Sequence, residues 1–226
     1  MSAAERDADV DLAAVAALEE PMRRRIYEFV VRRGRETGRD ETAEALLIPR
    51  ATAAFHLDRL VRNGLLDVSY QRLTGRSGPG AGRPAKLYHR SAREVSVSLP
   101  QRRYDFAAEL LAAALEAAER RHMTPRAALS ELARGQGERI GRQAAGNGLV
   151  RVLDEYGFEP RVDGERILLG NCPFHSLAAE HAELVCGMNL ELLAGLVSTL
   201  GSTGVTARLA PTPGHCCVQL DGFEGD

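Results

Sequence analysis

The chain has 226 residues, of which 44% are hydrophobic and 27% are charged. This balance is typical of a globular protein with one large domain or two small ones, and it excludes a mainly disordered chain, a collagen-like repeat and a small disulfide scaffold. No apolar run is long enough to span a membrane, and the acidic N-terminus lacks the pattern of a secretory signal. The sequence therefore predicts a cytoplasmic protein with no membrane contact.

The net charge of −2 conceals a separation of charge along the chain. Residues Pro21–Arg103 hold 18 Lys and Arg against 8 Asp and Glu, a net charge of +10, whereas the remainder holds 11 against 23, a net charge of −12. A difference of this size predicts a basic module that binds a polyanion, beside an acidic module with another task.

Periodicity and capping signals predict three helices and a hairpin in the basic half. In chain order these are a helix over Asp11–Val31, a short helix over Asp40–Leu47, a helix over Pro49–Arg62, a strand over Leu65–Tyr70, a glycine- and arginine-rich loop over Leu73–Pro84 and a strand over Ala85–His89. This order is that of a winged helix-turn-helix, in which the last helix enters the major groove of DNA.

The candidate DNA contacts lie on that last helix and on the hairpin. Polar side chains opposite the apolar side of a recognition helix can contact base edges, and basic residues of a wing can contact phosphates. The candidates are Arg50, Thr52, His56 and Arg59 on the helix, and Arg72, Arg76, Arg83 and Lys86 on the hairpin. The alternative is that each of these charges is simply solvated.

The segment IPRATAAFHLDRLVRNGLL (Ile48–Leu66), followed by GRSGPGAGRPAKLYHR (Gly75–Arg90), resembles the ArsR-type winged helix-turn-helix regulators of actinobacteria. The resemblance covers both the recognition helix and the wing. It implies a transcription factor that binds double-stranded DNA.

The acidic half is predicted to mix helices and strands. We expect helices over Arg103–His122, Pro125–Gln143 and Leu149–Tyr156, two strands within Phe158–Leu169, a loop over Asn171–His175, a helix over Ser176–Leu200 that is interrupted near Gly187, and paired strands over Val205–Ala210 and Cys216–Leu220. The helix Arg103–His122 has a continuous apolar stripe, which predicts pairing with its counterpart in a homodimer.

The acidic half also contains all four cysteines, Cys172, Cys186, Cys216 and Cys217. Thiolates from separate elements can bind zinc or an iron–sulfur cluster, and His175, His181 or an exogenous thiol or water is a candidate for a further ligand. Because neighbouring side chains of a strand point to opposite faces, we expect only one of Cys216 and Cys217 to join Cys172 and Cys186. The alternative is that these cysteines are small buried hydrophobes.

The segment NCPFHSLAAEHAELVCGMNLELLAGL (Asn171–Leu196), with the late cysteine pair, resembles the sensor domain of the SufR-like branch of these regulators. In that branch three cysteines hold an iron–sulfur cluster. The resemblance implies a 4Fe–4S or 2Fe–2S cluster on Cys172, Cys186 and either Cys216 or Cys217, in an actinobacterial paralogue of these repressors of cluster-assembly genes.

The expected fold class is α+β, with a winged helix-turn-helix over 1–100, dimerisation helices over 101–145 and a cysteine-containing sensor domain with antiparallel strands over 146–226. The expected function is that of a homodimeric regulator, a repressor, which binds a pseudo-palindromic operator under control of an iron–sulfur cluster. The alternatives are a structural zinc site or an organic effector pocket in the sensor domain. A thiol redox enzyme built on Cys216 and Cys217 is disfavoured, because no nucleophile, base and orienting group are apparent.

Overall fold

The computed structural model describes residues 3–71, 84–201 and 204–225, with side chains from residue 10 onward. The chain divides into two compact units, Met1–Val97 and Ser98–Asp226. The structure confirms the α+β class, and each unit has its own hydrophobic core.

The first unit begins with two helices where the sequence predicts one. Helix α1 (Ala3–Ala17) ends before Glu20, and helix α2 (Pro21–Arg33) begins with a proline, which fits a first helical turn because no N–H is needed there. The Glu20 carboxylate caps α2 by accepting from the backbone N–H groups of Met22 at 3.0 Å and Arg23 at 2.7 Å. The prediction of a continuous helix over Asp11–Val31 is therefore wrong.

The remaining elements of this unit form a winged helix-turn-helix. They are strand β1 (Thr37–Gly38), helix α3 (Arg39–Leu46), helix α4 (Arg50–Arg62), strand β2 (Leu66–Gln71) and strand β3 (Ala85–Arg90). Strands β2 and β3 pair antiparallel from Leu66 opposite Arg90 to Gln71 opposite Ala85, as the hairpin pattern predicts. The short strand β1 was not predicted, and it completes a sheet in the order β1-β3-β2. The tip of the hairpin, residues 72–83, lies outside the described residues.

The second unit has five helices and a four-stranded sheet among its described residues. These elements are α5 (Tyr104–Arg121), α6 (Pro125–Gln143), α7 (Leu149–Glu155), β4 (Pro160–Asp163), β5 (Arg166–Leu169), α8 (His175–Glu180), α9 (Ala182–Leu200), β6 (Thr206–Leu209) and β7 (Val218–Asp221). The sheet is antiparallel in the order β4-β5-β7-β6. The segments predicted as 101–145 and 146–226 share one core in this unit.

Helices α6 and α9 approach each other closely through glycines. A Cβ atom at Gly137 would lie 1.9 Å from the carbonyl oxygen of Leu192, and one at Gly195 would lie 2.1 Å from the carbonyl oxygen of Arg134. Both distances are shorter than any van der Waals contact, so only glycine allows the two backbones to touch here. This contact fixes α9, which contains Cys186, against α6.

Most of the apolar stripe of α5 is covered within the chain itself. Its buried residues are Ala107, Leu110, Ala114, Ala117 and Ala118, and all five belong to the core of the second unit. Leu115, at the edge of the stripe, is exposed. The pairing of this helix in a homodimer stays a prediction.

Helix α9 is the only helix among the described residues that is long and apolar enough to cross a membrane. Leu192, Leu193 and Leu196 of this helix are buried in the core, so its apolar character is explained by packing. The helix begins after a break at His181, which is its N-cap residue, whereas the sequence predicts an interruption near Gly187.

Candidate functional site

The side of α4 that faces away from the core is defined by its exposed residues. Ala53, Leu57 and Leu60 are buried, and the exposed residues of the helix are Arg50, Ala51, Phe55, Arg59 and Arg62. We call these five residues the outer face of α4. Arg50 forms an ion pair with Asp40 of α3, whereas no described side chain forms an ion pair with Arg59 or Arg62. The outer face therefore presents positive charge around an aromatic ring.

Phe55 is one of three residues of this face that the sequence analysis missed, together with Ala51 and Arg62. Its side chain is 59% exposed, although an aromatic ring of this size is usually buried. Its position contains the signal, since it is two residues from both Ala53 and Leu57 and therefore lies on the opposite side of a helix with 3.6 residues per turn. Phe and Ala side chains make apolar contact with the methyl group of thymine in the major groove, so Phe55 and Ala51 suit a base-reading surface.

The sequence analysis expected His56 on the outer face of α4, but the structure places it elsewhere. Its side chain is only 11% exposed, and its Nδ1 atom lies 3.3 Å from a carboxylate oxygen of Glu20. The reason is geometric, because residue 56 is three to four positions from Ala53 and Leu60 and so lies on the flank of the buried side. His56 thus packs toward the start of α2 rather than toward a ligand. Thr52 is half-buried.

Lys86 of the hairpin is bound to α4. Its ammonium group pairs with the Asp58 carboxylate, and the buried hydroxyl of Tyr88 donates to the same oxygen at 2.9 Å. Burial opposes ionisation of Asp58, but the hydrogen bonds from Lys86 and Tyr88 outweigh it and lower the pKa of this carboxyl. These contacts fix the recognition helix against the hairpin. The expected phosphate contacts Arg72, Arg76 and Arg83 lie outside the described residues.

The second candidate site is a group of four thiols in the second unit. Cys172 lies in the loop after β5, Cys186 in α9, and Cys216 and Cys217 just before β7. Cys172 interacts with Cys216, Cys216 with Cys217, and Cys217 with Cys186. Three elements far apart in sequence therefore place the thiols within interaction range in pairs, and we call this group the sulfur site.

Both late cysteines interact with other thiols of the site, while the expectation that only one of them binds a metal stays a prediction. The prediction assumed a strand over Cys216–Leu220, in which adjacent side chains point to opposite faces. Strand β7 begins at Val218, and Cys217 lies in a bend, so the alternation does not apply. Cys216 is nearly fully buried and meets Cys172, while the less buried Cys217 meets Cys186.

Three thiols of the sulfur site, Cys172, Cys186 and Cys216, hold their protons more tightly than free cysteine. The pKa of Cys172 is raised by its interaction with Cys216 and by burial, and burial raises the pKa of Cys186. The interaction of Cys216 with Cys172 lowers the pKa of Cys216. The opposing effects of Cys217 and of burial are larger together, so the pKa of Cys216 is raised to about 11. Without a bound metal these three thiols are neutral at pH 7. A metal ion binds them as thiolates and must therefore displace their protons.

The loop that contains Cys172 is held by the segment that enters the second unit. The Arg102 guanidinium donates to the carbonyl oxygen of Cys172 at 2.8 Å and also to the Asn171 side chain. The Asn171 amide in turn donates to the carbonyl oxygens of Gln101 at 3.0 Å and Gly157 at 2.6 Å. The backbone N–H of Arg103 donates to the carbonyl oxygen of Pro173 at 3.0 Å. The position of Cys172 therefore depends on residues 101–103.

His175 is placed differently from the thiols. It is exposed at the first position of α8, and its backbone N–H donates to the carbonyl oxygen of Cys172 at 3.0 Å. Within the described part of the chain, no group of three or more His, Cys, Asp and Glu side chains is arranged to hold a single metal ion. The four thiols interact in pairs.

Asn189 is a buried polar residue beside the sulfur site. Its side chain is 1% exposed, and its amide Nδ2 donates to the sulfur of Cys216 at 3.2 Å. Its Oδ1 atom is buried with no hydrogen-bond partner among the described residues. The sequence analysis did not single out Asn189, although a lone amide in the apolar sequence of α9 marks it.

Comparison with known proteins agrees with the fold of the first unit. Residues 18–69 match the family model of a helix-turn-helix domain, which spans α2, α3, α4 and β2. This match supports a DNA-binding transcriptional regulator with an ArsR-like winged helix-turn-helix. No curated protein and no solved structure matches the chain.

Proposed function

We propose that this chain is a cytoplasmic, homodimeric transcriptional repressor that binds operator DNA through α4 and whose affinity is controlled by an iron–sulfur cluster on Cys172, Cys186, Cys216 and Cys217. The observation that carries the proposal is the assembly of four thiols from three elements in a chain that also contains a helix-turn-helix domain. In this proposal the role of the chain is regulatory and not catalytic.

The outer face of α4 would contact one operator half-site. Arg59 and Arg62 provide positive charge for phosphates or guanine, and Phe55 with Ala51 provides an apolar surface for thymine methyl groups. One such helix covers a single half-site, and regulators of this kind bind pseudo-palindromic operators as dimers with half-sites roughly 34 Å apart. The proposal therefore includes a homodimer and a pseudo-palindromic operator.

The donor set at the sulfur site fits an iron–sulfur cluster. Thiolate is the ligand that holds these clusters, commonly with four cysteines. Each iron of a cluster needs its own ligand, so the thiolates surround the cluster and need not converge on one point. Four cysteines can also hold a structural zinc ion, so metal and sulfide analysis is the measurement that distinguishes the two.

When bound, the cluster would supply a centre whose charge and ligands change with iron supply, oxidants or nitric oxide. The chain would respond to such a change through the contacts of the cysteine-bearing segments. The cysteines tie together the Cys172 loop, α9 and the segment before β7, and Arg102 joins that loop to the chain that continues back to the first unit. The backbone N–H of Ser96 there donates to Asp11 of α1 at 3.2 Å.

A change in the Cys172 loop would therefore reach α1, which packs on α4 through Ala14 and Ala17. A coupling free energy of about 1–3 kcal/mol would change operator affinity about 5- to 150-fold. Our proposal requires only that the loaded and metal-free forms differ in affinity by an amount in this range.

The test is anaerobic reconstitution of the full chain with iron and sulfide, followed by metal and sulfide analysis and visible absorption. DNA binding of the loaded and metal-free forms is then measured by fluorescence anisotropy with duplexes selected from a random pool. We expect stoichiometric iron and acid-labile sulfide, charge-transfer absorption and a difference in operator affinity. The triple variant Cys172→Ser, Cys186→Ser, Cys217→Ser should lack all three.

Zinc without sulfide in anaerobically purified protein would contradict cluster binding, and equal operator affinity of the two forms would contradict sensing. Sedimentation of the DNA complex tests the homodimer, for which we expect two chains per operator.

A further inference from the structure

We propose that Asn189 is a positioning residue of the sulfur site, whose amide N–H donates to the Cys216 sulfur and stabilises it as a metal-bound thiolate. This inference rests on the proposed function. It assigns to a buried residue outside the cysteine set a specific role in retaining the cluster and setting its reduction potential.

The location of Asn189 supports this role. It lies three residues after Cys186 on α9, so the two side chains lie on neighbouring positions of one helix face. Its Nδ2 atom is 3.2 Å from the sulfur of Cys216, which belongs to a different element. Asn189 is therefore adjacent to two of the four sulfur ligands.

The surroundings of Asn189 do not explain it as a structural residue. Val185, Met188, Leu192 and Leu193 of the same helix are buried apolar residues. The only side-chain hydrogen bond of Asn189 in the described structure goes to Cys216, and its Oδ1 atom is left without a partner. A buried acceptor without a donor destabilises a folded protein, so an apolar residue of similar size would suit this core at least as well.

The chemistry of the N–H···S contact explains the presence of the amide. A hydrogen bond to an ionised acceptor is stronger than one to a neutral acceptor, so the amide stabilises a thiolate more than a thiol. Hydrogen bonds to the sulfurs also influence the reduction potential of an iron–sulfur cluster. They offset negative charge, which favours the reduced and more negatively charged state, and their loss therefore makes the potential more negative.

The test compares Asn189→Leu, which removes the amide at similar volume, with Met188→Leu, which alters the adjacent buried position and leaves the amide in place. Three quantities are measured: the melting temperature of the metal-free protein, the rate of iron loss from the reconstituted protein to a chelator, and the reduction potential. Titration of metal-free protein with Co²⁺, followed by its sulfur-to-metal charge-transfer absorption, provides a second measure of thiolate binding.

For Asn189→Leu we expect an unchanged or higher melting temperature without metal, about tenfold faster iron loss and a more negative potential. Co²⁺ should bind about tenfold more weakly, and Met188→Leu should behave as the wild type. Wild-type retention and potential in Asn189→Leu would overturn the inference, as would equal losses in Met188→Leu. A wild-type chain that binds neither cluster nor Co²⁺ would overturn the proposed function, and the Asn189 inference with it.

Discussion

The guanidinium group of Arg102 donates to the backbone carbonyl oxygen of Cys172, with 2.8 Å between the two atoms. Arg102 is among the first residues of the second unit, and Cys172 is the first thiol of the sulfur site. The same Arg102 side chain also donates to Asn171, so two acceptors of the cysteine loop depend on one residue of the entering segment. The cysteine loop is therefore hydrogen-bonded to the segment through which the chain enters the second unit.

Substitution Arg102→Met should therefore weaken the coupling between the two sites. The variant loses both hydrogen bonds to the loop but keeps all four cysteines, so it should still bind iron and sulfide. We expect the ratio of operator affinities between loaded and metal-free protein to fall to within about twofold, below the usual range of allosteric coupling. Anisotropy titrations of both forms measure this ratio.

Arg139→Met provides a matched control, because Arg139 is an exposed arginine of α6 whose side chain bonds to Gln136 in the described structure. It should retain the wild-type affinity ratio. An Arg102→Met protein with the full wild-type ratio would show that the signal does not pass through this contact.

The exposed ring of Phe55 predicts a dependence on thymine methyl groups. Replacing the contacted thymine of a selected operator by deoxyuridine removes only the C5 methyl group, and replacing Phe55 by Ala removes the apolar partner. Deoxyuridine should weaken wild-type binding by about 0.8 kcal/mol, the contribution of one buried methyl group, and Phe55→Ala by at least as much. Because both changes remove one contact, the doubly changed complex should be no weaker than the weaker of the two singly changed complexes, which a double-mutant cycle measures.

His56→Ala gives the contrasting case on the same helix. The side chain of His56 packs toward Glu20 and is 11% exposed, so its loss should lower the melting temperature without changing base preference.

Additive effects of Phe55→Ala and deoxyuridine at every thymine would contradict a methyl contact by Phe55.

Much of the fold could be predicted from the sequence because the signals are local. The pairing of β2 with β3, the α4 helix and the hairpin of β4 and β5 follow from periodicity and glycine placement, although the turn of that second hairpin is formed by Gly164 and Glu165. The break before Pro21 was missed because the apolar spacing continues through it, although proline at a first helical turn was a sufficient signal.

The sites required information that the sequence does not contain. That Cys172, Cys186 and the late pair are neighbours depends on the order β4-β5-β7-β6, which joins segments far apart in the chain. The participation of both Cys216 and Cys217 depends on the residue at which β7 begins, and strand boundaries are poorly specified by local sequence. The inward position of His56 depends on a partner, Glu20, in another helix.

The lowered pKa of Asp58 predicts acid sensitivity of the DNA-binding unit. Burial opposes ionisation, but hydrogen bonds from Lys86 and Tyr88 lower the pKa below its ordinary value of 3.8. The native state then binds fewer protons than the unfolded state, so this contribution is present above the ordinary pKa and is lost as pH falls through the lowered one. The melting temperature of Asp58→Asn should therefore lie below that of the wild type at pH 7, and the difference should shrink below pH of about 3.9.

Lys86→Met tests the same ion pair from its other side. It leaves the Tyr88 hydrogen bond in place, so we expect a smaller loss at pH 7 that also declines in acid. A difference between Asp58→Asn and the wild type that stays constant from pH 7 to pH 3 would contradict the assignment.

The contact between α6 and α9 predicts opposite effects for two glycines two residues apart. A Cβ at Gly137 would lie 1.9 Å from the carbonyl oxygen of Leu192, whereas a Cβ at Gly135 would meet nothing within 4 Å. Gly137→Ala must separate the helices and should destabilise the protein by about 1–3 kcal/mol or more, as overpacked cores do. Gly135→Ala, at an exposed position of the same helix, should stabilise it by about 0.5–1 kcal/mol because alanine is the better helix former.

Thermal unfolding of the metal-free chain measures both changes. Because α9 contains Cys186 and Asn189, the displacement caused by Gly137→Ala should also reduce iron retention after reconstitution, while Gly135→Ala leaves it unchanged. A Gly137→Ala protein as stable as Gly135→Ala would show that the two backbones are not in contact in solution, and the sulfur site would then lack the rigid support that this helix pair provides.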